Sequence, residues 1–206
     1  KIAAIESADA VLLLGSNPGH EAPIIGHRLR KAWRNGADIS VINPLDWSFN
    51  FETGPDAVVA PQYMVAELAS LALAVEKCTE KSAPNRIRAV VDSAAPGDRH
   101  DVLARRLRDS GRGLVLLGHF AMSHPDAAWL RALAGYIADA TDSALNVLTH
   151  GGNAVGAWLA LAYVCTSTAG AAGIGGCIHA DAEGEGHGHG TQATAMIAEI
   201  AVAQNF

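Results

Sequence analysis

Two short apolar segments, each ended by a glycine, constrain the fold of this chain more than any other feature. One runs Ala-Val-Leu-Leu-Leu-Gly over residues 10–15, and the other runs Gly-Leu-Val-Leu-Leu-Gly over residues 113–118. Apolar runs without polar alternation are typical of strands buried on both faces, as in a parallel sheet covered by helices. Parallel neighbours must be joined by a long crossover, which is usually a helix. The two segments therefore predict an α/β fold.

The first strand is followed by a helix and a second strand. Residues 21–35 form the predicted helix, since Ile25, Leu29 and Trp33 fall on one face and Asn35-Gly36 is a suitable stop. Residues 39–42 read Ile-Ser-Val-Ile and end at Asn43-Pro44, which predicts a strand. These elements make one βαβ unit.

The second apolar segment begins a similar unit. We expect a helix to start at Ser123, with Ser as the capping residue and Pro in the first turn, and a strand over residues 145–148. Strand, right-handed crossover helix and parallel strand is the doubly wound pattern. The predicted fold class is therefore α/β, with a doubly wound, mostly parallel, Rossmann-like sheet and helices on both faces.

The predicted organisation is one α/β domain over residues 1–164, which can be divided into two βαβ halves, 1–77 and 97–164. Between the two units we predict a loop, a helix, a second loop and a short helix, at residues 45–61, 62–77, 78–100 and 101–110. The composition then changes to a Gly- and His-rich linker at residues 165–192, followed by a helix of unknown role at 193–206.

Charge and cysteine content exclude several functions. The formal net charge is −6 and no long run of Lys or Arg occurs, which argues against nucleic acid or an anionic membrane surface as the main partner. No apolar run reaches the roughly 18 residues that a membrane span needs, so direct insertion is not expected. Cys78, Cys165 and Cys177 are far apart without a C-x-x-C pair, which does not indicate zinc or an iron–sulfur cluster. Because the chain begins at Lys1 without Met, we expect an internal fragment of a longer protein.

One turn is a candidate ligand site. Gly15-Ser16-Asn17-Pro18 follows a strand and precedes a helix, where doubly wound sheets bind ligands. The sequence is not G-x-G-x-x-G, so the dinucleotide fingerprint is absent, and the favoured interpretation is that Gly15 and Asn17 only turn the chain. No G-x-S-x-G elbow or Walker sequence occurs, and no catalytic residues are expected.

Histidines are the remaining candidates for metal binding. His20, His27, His119 and His124 flank the two turns, but no Glu or Cys lies at ligand spacing, so we expect them to be solvated. His179, His187 and His189 lie in a tract rich in acids and glycine. They are weak candidates for loose divalent-metal binding, and a flexible tract without a metal is the favoured interpretation.

Three segments carry a family resemblance. Residues 8–32 resemble the molybdopterin oxidoreductase superfamily, in which Asp-Ala, a hydrophobic strand and Gly-Ser/Thr-Asn-Pro precede a helix ending Arg-hydrophobic-Arg-Lys-Ala. Glu-Ala-Pro at residues 21–23 is similar to one branch, the large iron–sulfur subunit of NADH:quinone oxidoreductase. Residues 117–128 and 148–158 resemble bacterial members of that branch. The resemblance covers about residues 1–162, and the sequence from Thr166 onward departs from the pattern.

The resemblance implies a scaffold without chemistry of its own. Members of the branch carry 4Fe–4S and 2Fe–2S iron–sulfur clusters in an N-terminal region that is absent here, and are thought to have lost the molybdopterin that relatives hold at the Gly-Ser-Asn turn. We therefore expect no cofactor in this chain. The implied partners are other subunits of the peripheral arm of NADH:quinone oxidoreductase. The implied location is peripheral, on the cytoplasmic side of the inner membrane.

Two other functions stay open. The chain could be the pterin-dinucleotide-binding domain of a molybdenum or tungsten oxidoreductase such as a formate dehydrogenase or nitrate reductase. In that case Gly15, Ser16, Asn17 and Asn43 would line the cofactor. The third interpretation is a stand-alone nucleotide-binding module, which the strand–turn–helix pattern allows without the family resemblance.

Overall fold

The computed structural model describes residues 2–148. Several sequence predictions lie outside these residues. They are the helix expected from residue 154, the linker, the last helix and the metal candidates His179, His187 and His189.

A parallel sheet of five strands forms the centre of the described part. The strands are β1 Ala10–Leu14, β2 Asp38–Asn43, β3 Ala57–Val58, β4 Gly113–Leu117 and β5 Ala144–Val147. Their order is β3-β2-β1-β4-β5, and every neighbouring pair is parallel. The predicted α/β class and doubly wound sheet are confirmed.

The order of the strands reverses between β1 and β4. From β1 the chain moves to β2 and β3 on one side, whereas β4 and β5 lie on the other side. Leu12 of β1 is paired with Ser40 of β2 and with Val115 of β4. The carboxyl ends of β1 and β4 therefore meet at the topological switch point, where open α/β sheets bind ligands.

Helices cover the sheet. They are α1 Pro18–Glu21, α2 Pro23–Arg34, α3 Met64–Thr79, α4 Asn85–Asp92, α5 Asp98–Asp109, α6 His119–Met122 and α7 Ala127–Ala140, with 3-10 turns at Ile2–Ser7 and Pro61–Tyr63. Leu12 and Leu14 belong to the larger core, which the sheet shares with α3, α4, α5 and α7. Val11 and Leu13 point to the opposite face, where Leu29 of α2 covers them. All of β1 is buried, which explains its unbroken apolar sequence.

Two predicted loops contain regular structure. Residues 78–100 include α4, because Ile87 and Val91 are spaced by one helical turn and both are buried in the larger core. The polar residues around Ile87 and Val91 made the apolar face of α4 difficult to recognise in the sequence. Residues 45–61 include β3, whose two residues pair with Ile42 and Asn43.

The predicted helix start at Ser123 is wrong. Ser123 instead ends α6, and α7 begins four residues later, after Asp126. The backbone N–H groups of Phe120 and Ala121 donate to the Gly15 carbonyl at 3.0 and 3.3 Å, which holds the chain after β4 in a short turn against the end of β1. Among residues 2–148, no helix is both long and apolar enough to cross a membrane.

Candidate functional site

The turn after β1 is packed tightly against the turn after β4. Gly15 has a φ of +55°, and a Cβ added there would lie 2.5 Å from the Ala121 nitrogen. The Gly118 N–H donates to the Leu14 carbonyl at 2.9 Å. A Cβ on Gly118 would lie 2.3 Å from the Ser16 Cβ. Both glycines are therefore needed for the two turns to touch at the switch point.

Ser16 and Asn43 are joined by two reciprocal hydrogen bonds. The Ser16 N–H donates to Asn43 Oδ1 at 2.8 Å, and Asn43 Nδ2 donates to the Ser16 carbonyl at 3.0 Å. The exposed fractions of the two residues are 0% and 1%. The Asn43 amide thus fixes the turn after β1 to the end of β2, and its oxygen and nitrogen are both engaged inside the protein.

The Glu21 carboxylate lies at the centre of the site. Its Oε1 accepts the Asn17 N–H at 2.7 Å, and its Oε2 accepts the Ser16 hydroxyl at 3.2 Å and the His119 N–H at 2.9 Å. One side chain from the end of α1 therefore connects the turn after β1 with the turn after β4, although Glu21 and His119 are 98 positions apart.

Sequence reasoning missed the role of Glu21. A signal was present, since an acid in the first helical turn often reaches back to the backbone N–H of the residue that precedes the helix. Glu21 does this with Asn17, which precedes α1. The contact with His119 had no local signal, because it depends on how β4 is placed beside β1.

The four residues predicted to line a cofactor lie together at this point. Gly15, Ser16 and Asn17 form the turn, and Asn43 lies beneath it. Ser16 is hydrogen-bonded to Asn43, and Asn17 is hydrogen-bonded to Glu21. The Ser16 N–H, the Ser16 hydroxyl and the Asn17 N–H are donors that could hold a phosphate, and they are already bonded to Asn43 or Glu21. A carboxylate at this position would also repel a phosphate. These three donors are therefore engaged within the protein and not available to the phosphate of a pterin dinucleotide.

An apolar surface lies beside the two turns. The rings of Trp47, in the loop after β2, and Phe120, in α6, are 5.0 Å apart between centroids. Phe120 is 45% exposed and Leu45 is 53% exposed. These side chains follow the carboxyl ends of β2 and β4, so they lie at the same edge of the sheet as the two turns.

The histidines near the turns do not converge. His20 and His27 are exposed. His124 accepts the Asp126 N–H through Nδ1 at 2.9 Å and lies 2.9 Å from the Pro61 carbonyl through Nε2, so its ring anchors the loop before α7. Between residues 2 and 148, no group of three or more His, Cys, Asp or Glu side chains could hold a metal ion.

The fold and the site together define a doubly wound α/β domain in which one carboxylate connects the turns after β1 and β4. The chain belongs to the molybdopterin oxidoreductase family, because the sequence profile of that family matches residues 1–202.

A curated relative matches over a shorter segment. The chain is 47% identical over 53 residues to the mitochondrial NADH-ubiquinone oxidoreductase 78 kDa subunit of Neurospora crassa. The match covers 25% of this chain and 7% of that subunit. Among solved structures, the formyltransferase/hydrolase complex of Methylorubrum extorquens with methylofuran is similar with a TM-score of 0.49 and 16% identity. That similarity covers 78% of this chain and 42% of the other.

Proposed function

We propose that this domain is a non-catalytic scaffold of the large iron–sulfur subunit of NADH:quinone oxidoreductase, where it supports electron transfer from NADH to quinone. The observation that carries the proposal is the Glu21 carboxylate, which takes the hydrogen-bond donors of the turn where a phosphate-bearing ligand would bind. A family member that fills this position with its own carboxylate is suited to a structural role.

Sequence similarity supports the choice of subunit. The 47% identical segment belongs to a subunit of NADH-ubiquinone oxidoreductase, although it spans 7% of that subunit. The Glu-Ala-Pro sequence, which we associated with the same branch, places the acid that binds both turns. The residue that points to this branch is therefore also the residue that connects the two turns.

The proposal includes partners and a location. The domain would contact other subunits of the peripheral arm, on the cytoplasmic side of the inner membrane, and the 4Fe–4S and 2Fe–2S clusters would lie in another region of the protein. The exposed apolar side chains beside the two turns offer contact area for such a neighbour.

Metal and pterin analysis of the full-length protein tests the proposal. We expect iron and sulfide in the ratio of iron–sulfur clusters, molybdenum and tungsten below one tenth of an atom per protein by elemental analysis, and no pterin fluorescence after acid oxidation. A formate dehydrogenase treated in the same way is the positive control. Molybdenum or tungsten near one atom per protein, together with a pterin, would establish the cofactor-binding alternative instead.

Purification in its native assembly tests the choice of complex. We expect a tagged full-length protein to co-purify with NADH-oxidising activity that reduces quinone. Recovery of formate or nitrate activity in its place would contradict the proposal.

A further inference from the structure

We infer that the Glu21 carboxylate is an internal anion that takes the place of a ligand at the switch point and locks the two halves of the sheet together. This inference deepens the proposed function. It rests on the proposed function in one respect, the explanation of why no cofactor binds. The lock itself depends on the contacts of Glu21 alone.

The donors around Glu21 form a site of the kind that binds an anion. Two backbone N–H groups and one hydroxyl, from Ser16, Asn17 and His119, converge on its two oxygens at 2.7 to 3.2 Å. Converging backbone N–H groups favour negative charge and bind phosphate in many proteins. The carboxylate is held in the way that a bound oxyanion would be.

Within the described part of the chain, no Lys, Arg or His side chain forms an ion pair with Glu21, whereas Glu6 is paired with Arg28 and Lys31. A partly buried carboxylate is costly unless hydrogen bonds replace its water. The three donors supply those bonds, and without the carboxylate they would lose their acceptor.

The lock joins elements that are distant in sequence. Glu21 ends α1, which follows β1, and His119 begins α6 after β4. The sheet order changes direction between these two strands, so no helical crossover directly links them there. The carboxylate adds a side-chain connection between the two turns, beside their backbone contact at Gly15 and Gly118.

The size of the site around Glu21 can be judged from the atoms that a substitution to alanine would remove. Glu21→Ala keeps Cβ and removes Cγ and the carboxylate, which together have the size and charge of acetate. The turns remain in contact through Gly15, Gly118 and Ala121, so the opened space would admit a small carboxylate but exclude a dinucleotide.

Chemical rescue with acetate tests the inference in the full chain. We expect Glu21→Ala to lower the thermal unfolding midpoint by about 5 °C, since charged hydrogen bonds between buried turns are lost. We expect sodium acetate at about 0.1 M to restore at least half of this loss, because a ligand that binds only the folded state stabilises it. Sodium chloride at the same ionic strength would restore none.

Two variants serve as controls. Glu21→Gln keeps the volume and one oxygen, so we expect a lower midpoint that acetate does not restore, because the amide fills the space. Glu52 is exposed and forms no ion pair or hydrogen bond with any described residue. Glu52→Ala should therefore behave like the original protein with either salt.

The results separate this inference from the proposed function. An unchanged midpoint in both Glu21 variants would overturn the lock, as would an acetate effect of equal size in Glu21→Ala, Glu21→Gln and Glu52→Ala. If Glu21→Ala does not fold, an unfolding midpoint of Glu21→Gln equal to that of the original protein would also overturn it. None of these outcomes depends on the molybdenum content or on the complex to which the protein belongs.

Discussion

Replacement of Gly118 by alanine tests the contact between the turns after β1 and β4. Gly118 has φ −93° and ψ −176°, an extended conformation that alanine adopts without strain. The added Cβ would lie 2.3 Å from Ser16 Cβ, 2.4 Å from Ser16 Cα and 2.6 Å from the Gly15 carbonyl oxygen. Any effect of Gly118→Ala must therefore come from these contacts, and not from the backbone of residue 118 itself.

The expected loss of stability follows from how far the turns must separate. Ordinary contact is 3.4 to 4 Å, so relief requires a movement of roughly 1 Å in a packed region. Overpacking of this kind costs about 1–3 kcal/mol. The hydrogen bond from Gly118 to the Leu14 carbonyl, at 2.9 Å, would be weakened as well, at about 0.5–1.5 kcal/mol. We expect the free energy of unfolding to fall by about 2–4 kcal/mol.

Gly135→Ala is a matched control, for which we expect a change in the free energy of unfolding of opposite sign. It lies inside α7, and a Cβ added there would meet nothing within 4 Å. Since alanine is favoured over glycine in a helix interior, Gly135→Ala should raise the free energy of unfolding by about 0.5–1 kcal/mol.

Urea denaturation followed by far-ultraviolet circular dichroism measures both variants. The slope with urea should stay unchanged if only the native state is affected. A Gly118→Ala variant as stable as the original protein would refute the close contact between the two turns. A loss of the same size in Gly135→Ala would show that the effect of alanine at Gly118 is not specific to the two turns.

Two further predictions concern side chains away from the turns. His100 is 7% exposed, accepts the Gly97 N–H through Nδ1 and lies 2.9 Å from Glu67 through Nε2, so His100→Ala should cost about 1–3 kcal/mol in urea denaturation. His100→Gln, which keeps an acceptor for the Gly97 N–H, should cost less; equal losses would contradict the capping role. The hydrogen bond from Arg112 lowers the pKa of Asp9, so this pair stabilises the fold above the ordinary Asp pKa of about 3.9, and the stabilisation is lost as pH falls through the lowered pKa. The difference in thermal midpoint between the original protein and Asp9→Asn should shrink from about pH 6 to about pH 2, and a difference independent of pH would argue against the ion pair.

The principal strands could be predicted from the sequence because their signal is local. The runs at residues 10–15 and 113–118 contain only apolar residues between their glycine stops, and such runs are buried wherever a sheet is covered on both faces. The structure has β1 and β4 within one residue of these limits. Helix α4 was missed, because eight residues with only two buried positions carry a weak periodic signal.

Part of the site was also local. The glycine turn after the first strand indicated Gly15, Ser16 and Asn17, and the end of the second strand indicated Asn43. That these residues meet follows from the parallel pairing of β1 with β2, which brings the carboxyl ends of both strands to the same edge.

What the sequence by itself determined is therefore four of the five strands, all except β3, and the edge at which polar residues gather. Only the tertiary structure decided what fills that edge. Glu21 and His119 are separated by 98 positions, and nothing in their local sequences requires them to meet. They do so because β4 is placed directly beside β1, which brings the two turns into backbone contact and gives one carboxylate donors from both. Periodicity reports which residues are buried along each element, whereas the partner of a polar group depends on the order in which the elements pack.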